Sequence, residues 1–342
     1  MKGNFVKTSV LICFFALFTG FFSLAAETTN IDSQINTARQ LYNAARFDEA
    51  IEQLNSLLKD ESITAVQKIS TYKLLGFALV AKGYYDQAKE AIRKIIELDP
   101  SIEFDPDNVH LEMMKIYYAV RKEMNGNYQI ESRSDPGLKT MAILDFDNNS
   151  IGADKSTWEA MGKGLAQMLI TDLSKIIKLK VVERERIQFI LDELKLEQTK
   201  NFDQQTAVRI GKQLGVHTML FGGFTKIDKT IRIDARLVKV ETSELIKAEE
   251  ITGKAEDFIP LEKELALKIA RNLDVELSKH EQANIQTNEN QSLEAMLAYS
   301  EGLSLLDKED YKNALKKFEE ALRFNPNYSA AQKKVELIKQ II

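Results

Sequence analysis

At 342 residues the chain is too long for one small core and fits two or three domains, and 44% hydrophobic with 28% charged residues describes an ordinary folded protein without large-scale disorder. A formal charge of −5 with no basic stripe excludes a nucleic-acid platform, because phosphate binding depends on clustered lysine and arginine. The single cysteine, Cys13, excludes a disulfide framework.

Lys2 and Lys7 precede an apolar run from Val10 to Phe22 broken only by Thr19 and Gly20, and Ser23-Leu24-Ala25 places small residues at signal-peptidase spacing. Residues 1–26 are therefore expected to be a signal peptide, the mature chain starting near Ala26 or Glu27. The run is shorter than the roughly 20 apolar residues a spanning helix requires. Cys13 follows Leu11-Ile12 in mid-run, whereas a lipoprotein signal has a small residue just before its cysteine, so no lipid is expected and the mature chain has no thiol.

Helical periodicity starts near Ile31. Ala38, Leu41, Phe47, Ala50 and Leu54 are matched 38 positions later by Gly76, Leu79, Tyr85, Ala88 and Ile92, with Pro100 closing the second unit. This internal repeat resembles the tetratricopeptide repeat, in which small residues let two antiparallel helices approach closely. A further helix from Asn108 to Met124 is expected to close the stack, giving a helical domain over residues 31–125. The polar stretch 126–139, with Gly126, Pro136 and Gly137, reads as a linker.

The central domain, residues 140–278, opens on the apolar strand Met141 to Phe146. Ser156 and Glu159 have capping-box spacing ahead of an amphipathic helix through Leu165, Leu169 and Leu173. The strand Leu179 to Glu183 follows, then a helix with Ile187, Ile190 and Leu191. Asp203 can cap a third helix that stops at Gly215. From Val216 to Ala255 three strands form an antiparallel meander. In the middle one Ile231, Ile233, Ala235 and Leu237 alternate with Arg232, Asp234 and Arg236, so one face is dry and the other wet. A helix with Phe258, Leu261, Leu265, Ile269 and Leu273 ends the domain. The fold class is α+β: a two-layer βαβααβββα domain flanked by all-α repeat hairpins.

A second polar stretch, 279–291, reads as another linker. Beyond it Ala298, Gly302, Leu305, Tyr311, Ala314, Phe318, Ala321 and Pro326 repeat the tetratricopeptide pattern, with a capping helix from Tyr328 to Ile341. One repeat buries too little surface to stand alone, so residues 292–342 must dock on the central domain, the N-terminal helices or another subunit.

The segments AILDFDNNS (142–150), KGLAQMLITDLSK (163–175), VVERERIQFILDELKL (181–196) and LVKVETSEL (237–245) resemble the curli-secretion-channel (CsgG-type) family, together with FlgO-like and TolB amino-terminal-like domains. Ser243 stands where that family usually has a glycine in the turn. The resemblance implies a non-enzymatic envelope protein on the periplasmic side of the outer membrane, associated with that membrane and assembled as a homo-oligomer.

Local features read as structural. Gly162-Lys163-Gly164 lies in an amphipathic helix and lacks the rest of a phosphate-loop pattern, Gly222-Gly223 suits close backbone packing, and Glu183 to Arg186 reads as a solvated charge cluster. His110, His217 and His280 lack metal-ligand spacing, and Asp145 and Asp147 share a strand face without a nucleophile or base to work with. No cofactor is expected. The expected role is a scaffold that holds protein partners through its repeats in a secretion, motility or envelope-assembly complex, and the alternative is a secretion-channel subunit. By analogy with repeat proteins, Lys73, Phe77 and Val80 line one groove and Tyr299, Leu303 and Leu306 the other, unless these apolar residues pack on the central domain.

Overall fold

The structure, a computed structural model, describes residues 30–106, 109, 111–128, 137–152, 155–196, 202–287 and 292–339. The expected signal peptide, His110 and parts of both expected linkers lie outside the described residues. The chain divides into two compact units, one up to Ile102 and one from Glu103 onward.

The first unit is two helical hairpins: α1 (30–43) with α2 (Phe47–Leu57), and α3 (Ala65–Ala81) with α4 (Tyr85–Leu98). The repeat positions Ala38, Ala50, Leu54, Leu79, Ala88 and Ile92 are buried between them. Thr64 caps α3 in a reciprocal box with Gln67, whose amide also donates to Asp32 at 2.8 Å and ties α3 to α1. Both hairpin turns close on the same hydrogen bond, Arg46 N–H to Leu41 C=O at 2.9 Å and Tyr84 N–H to Leu79 C=O at 2.8 Å. The residue before each is left-handed: Gly83 at φ 76° and Ala45 at φ 56°. The C-terminal repeat repeats the device, with Glu309 at φ 59° and Asp310 N–H on Leu305 C=O at 3.0 Å. Glycine suits that backbone and alanine does not, so Ala45→Gly is expected to raise the unfolding free energy of this unit by up to about 1 kcal/mol. Denaturant unfolding measures the gain directly.

In the second unit, the sheet runs β3-β1-β4-β5-β6. Its strands are β1 (Lys139–Ile143), β2 (Asp147–Asn148), β3 (Leu179–Val181), β4 (Thr218–Ile227), β5 (Thr230–Lys239) and β6 (Leu245–Lys254). β1 is parallel to β3 and β4, and β4 to β6 form the antiparallel meander. The element order matches the expectation, with β2 added as a short continuation of β1 along β4. The dry-and-wet alternation of β5 is present: Ile231, Ile233, Ala235 and Leu237 are buried, while Arg232 and Arg236 are exposed.

The dry face lies under α6 (Met161–Leu173) and α9 (Phe258–Asn272), with Trp158, Phe224 and Phe258 in ring contact in its core. The helical cover also extends to the other face. There α8 (Gln204–Leu214), following α7 (Arg184–Glu193), brings Gly211 against Val240 and Met219, so the β1–β4 end is covered on both sides. Asp203 caps α8 and Gly215 ends it in the left-handed region, as expected. α6 starts at Met161, a turn later than the Ser156–Glu159 spacing suggests.

Two expectations are corrected. α5 (Leu111–Asn125) does not close the first unit but belongs to the second, where Tyr118 and Tyr128 pack against Phe189 at 5.4 and 5.6 Å between ring centroids. Its apolar face showed that it needed cover without showing which partner supplied it. The stretch read as a polar linker from Lys279 contains α10 (Lys279–Gln286), capped by Ser278 and Glu281, with Ile285 wholly buried in the central core. The C-terminal repeat consists of α11 (Leu293–Leu306), α12 (Tyr311–Phe324) and α13 (Ser329–Lys339). It docks in cis: α11 lies across α6 so closely that a Cβ on Gly164 would sit 1.9 Å from the Ser300 hydroxyl.

Candidate protein-binding surfaces

Lys73, Phe77 and Val80 follow one another at helical spacing on α3 and are all half-buried, so they share one face of the first unit. Phe77 is backed by Tyr42 of α1 at 6.4 Å between ring centroids, and Tyr42 by Phe47 of α2 at 5.5 Å. The Lys73 ammonium stands 5.9 Å over the Phe77 ring. Burial pushes the Tyr42 phenol above its ordinary pKa, so it stays a neutral donor and acceptor. Below this row Lys82 reaches the Tyr84 ring at 5.9 Å and pairs with Asp48 at 3.0 Å. The result is a strip of aromatic faces edged by ammonium groups, which suits an extended segment presenting apolar side chains and carboxylates. The sequence signalled Phe47 as a repeat position, but Tyr42 gave no signal apart from its type.

The second expected groove is not a surface. Tyr299 is 1% exposed, Leu303 0% and Leu306 9%, all within the core of the C-terminal repeat, where Tyr299 meets Phe318 at 5.3 Å and Tyr328 at 4.9 Å. The neighbouring side of α11, with Met296 and Ser300, is taken by α6. Tyr299, Leu303 and Leu306 pack within the repeat itself rather than on the central domain.

The charge cluster at the start of α7 also departs from expectation, because its arginines are buried rather than solvated. Between β1 and β2 the chain leaves the ladder, and Phe146 N–H bonds to Gly162 C=O at 3.2 Å instead. That detour turns Asp145 toward the helices. Arg184 grips Asp145 with bonds of 3.0 and 2.7 Å and Asp307, the residue capping the end of α11, with bonds of 2.9 and 2.8 Å. Lys163 joins both acids at 2.9 and 2.8 Å. Two carboxylates and two cations thus hold the first strand, α6, α7 and the C-terminal repeat at one point. Burial pushes the Asp145 carboxyl up, but Arg184 and Lys163 outweigh it and keep it well below the usual range; Asp307 is lowered in the same way, mainly by Arg184. Alongside, Lys334 of α13 pairs with Glu185 at 2.8 Å, and Arg186 donates to the Leu214 carbonyl at 3.0 Å and to that of Tyr128.

Asp145 and Asp147 are separated by this arrangement: one enters the ion cluster and the other stands beside Gly223 in the ladder. Gly162 admits the backbone of Phe146 between β1 and β2, Gly164 serves the packing of α6 on α11, and Gly222 serves close strand packing, a Cβ there falling 2.0 Å from the Asp234 carbonyl. Ser243 adopts φ 61°, the backbone a glycine would favour in that turn.

Residues 123–232 match the family model of the curli production assembly/transport component CsgG, and residues 69–102, which span α3 and α4, match a tetratricopeptide repeat. Among solved structures, the LpoB C-terminal domain from Salmonella enterica aligns at 14% identity over 36% of this chain and 88% of its own, with a TM-score of 0.26. The LpoB C-terminal domain from Escherichia coli aligns at 15% identity over 44% and 99%, with a TM-score of 0.28. Lipoprotein GNA1162 from Neisseria meningitidis aligns at 12% identity over 41% and 99%, with a TM-score of 0.27. No curated protein matches the chain.

Proposed function

We propose that this chain, whose central segment matches the curli production assembly/transport component and whose second helical hairpin matches a tetratricopeptide repeat, is a non-enzymatic scaffold of the cell envelope. It acts in the periplasm, at the outer membrane, as a homo-oligomer. The aromatic strip of Tyr42, Phe77, Lys73 and Val80 holds a protein partner. The central domain carries the assembly contacts of a secretion, motility or envelope-assembly complex. The observation that supports this division is the unequal fate of the two repeats: one presents its groove residues half-buried and the other spends them on its own core.

The second reading, a secretion-channel subunit, draws on the transport role in the matched family's description. Against it stand the strands themselves. β4, β5 and β6 are already joined in one sheet, their dry face lies under α6 and α9, and their other face carries Arg232, Asp234 and Arg236. Turned toward lipid, each arginine would cost up to about 2–4 kcal/mol near the bilayer midplane. The exported protein is expected to purify without detergent and to give no conductance in planar bilayers. Stepwise, protein-dependent single-channel currents would reverse the choice between the two readings.

A further inference from the structure

Away from these surfaces, α6 and α9 bring two carboxyl groups together in the interior. Asp172 and Glu262 are both almost wholly inaccessible to solvent. Asp172 is well provided for: one oxygen takes the Lys175 ammonium at 2.8 Å and the other takes Lys263. Glu262 is not. The Lys263 ammonium lies 3.6 Å from its nearer oxygen, outside hydrogen-bond reach, and neither Glu262 oxygen receives a hydrogen bond. A carboxylate without a donor in a dry interior is far costlier than the neutral acid, and the neutral acid has a proton to give.

We infer that Glu262 carries a proton and donates it to Asp172, so that the two carboxyls hold one proton between them and the seating of α9 on α6 depends on pH. The other groups around the pair support this assignment. On α6 and α9 the ammonium groups of Lys175 and Lys263 are committed to Asp172. Ahead of α13 the Tyr328 phenol is buried, and desolvation holds it neutral. On α10 Glu281 is occupied by Ser278 and the Ile177 amide, and Glu249 of β6 is bonded to Asn272 at the far end of α9. Both ammonium groups hydrogen-bond Asp172, and among the described residues none donates a hydrogen bond to Glu262. Burial first, and the Asp172 charge second, push the Glu262 carboxyl well above the carboxylate range, with Lys263 pulling the other way.

The sign of the dependence follows. Glu262 binds its proton more tightly folded than unfolded, so its contribution is fully present below its unfolded pKa of about 4.3 and is lost as pH rises through the folded value. When it ionises the proton goes to water, and two carboxylates then face each other between α6 and α9.

The full chain at pH 7 is expected to show the infrared carbonyl stretch of a protonated, buried carboxylic acid, lost in Glu262→Gln. On unfolding at pH 7 the wild type is expected to release about one proton more than that variant, read from calorimetry in buffers of different ionisation enthalpy. Asp172→Asn frees Lys263 to pair with Glu262 and should also abolish the band. Should Glu262→Gln fail to fold, titration of the wild-type band, present at pH 7 and lost at alkaline pH, carries the test alone. Absence of the band from the wild type, its persistence in Glu262→Gln, or equal proton release would overturn the assignment.

Discussion

Replacing Arg184 by alanine is expected to lower the unfolding free energy of the second unit by about 3–5 kcal/mol at pH 7, the cost of removing one partner from a buried ion cluster. The guanidinium is 4% exposed and supplies four bonds to Asp145 and Asp307. Without it the two acids retain only Lys163, a single ammonium that cannot neutralise both. The pH dependence gives the effect a signature. Asp145 and Asp307 have folded pKa values below their unfolded ones, so their contribution is present above about pH 4 and disappears as pH falls through the folded values. The penalty of Arg184→Ala should therefore be large at pH 7 and shrink in acid, where protonated acids no longer need the guanidinium. A double-mutant cycle of Arg184→Ala with Asp307→Asn isolates the contact to the C-terminal repeat. Equal penalties at pH 7 and pH 3 would show that packing, not charge, is what Arg184 supplies.

The second large effect is expected at Gly162. A Cβ there would fall 1.7 Å from the Phe146 carbonyl oxygen and 2.8 Å from its carbon, both backbone atoms of the detour that aims Asp145. Alanine favours a helix over glycine by roughly 1 kcal/mol, but moving that backbone costs about 1–3 kcal/mol and disturbs the ion cluster as well. Gly162→Ala should thus be net destabilising. Gly164→Ala is the control: its nearest contact is the Ser300 hydroxyl, which can rotate at the expense of its 2.7 Å bond to Met296, so the loss should be smaller. Denaturation midpoints of the two variants, compared side by side, check the order. A neutral Gly162→Ala would mean that the β1–β2 detour is not fixed by α6.

Much of the architecture is legible in local patterns. Alternation over Ile231 to Leu237 marks the strand and its dry face, Asp203 and Gly215 bound their helix, and the 38-residue repeat identifies the hairpins, because each depends on residues close in sequence. The ion cluster is not legible in that way. Arg184 meets Asp145 and Asp307, 39 and 123 positions away, and a charged tetrapeptide looks the same whether it faces water or distant acids. For the same reason periodicity could not distinguish groove from core at Tyr299, Leu303 and Leu306, nor tell α5 which unit to join. α10 was hidden by its Asn and Gln content, although the Ser278–Glu281 capping-box spacing was in plain view.

The central claim is that the strip on α3 holds a protein partner while the C-terminal repeat is structural. The protein captured by the wild-type chain from envelope extract is to be identified by mass spectrometry and purified, and its affinity measured against Phe77→Ala and Tyr299→Ala. Phe77→Ala is predicted to lose at least about tenfold in affinity, the 1.4 kcal/mol of a modest hot spot, with its melting temperature close to wild type. Tyr299→Ala is predicted to melt several degrees lower, because it empties a buried site. Unchanged affinity in Phe77→Ala, or a loss that only accompanies unfolding of the first unit, would contradict the account.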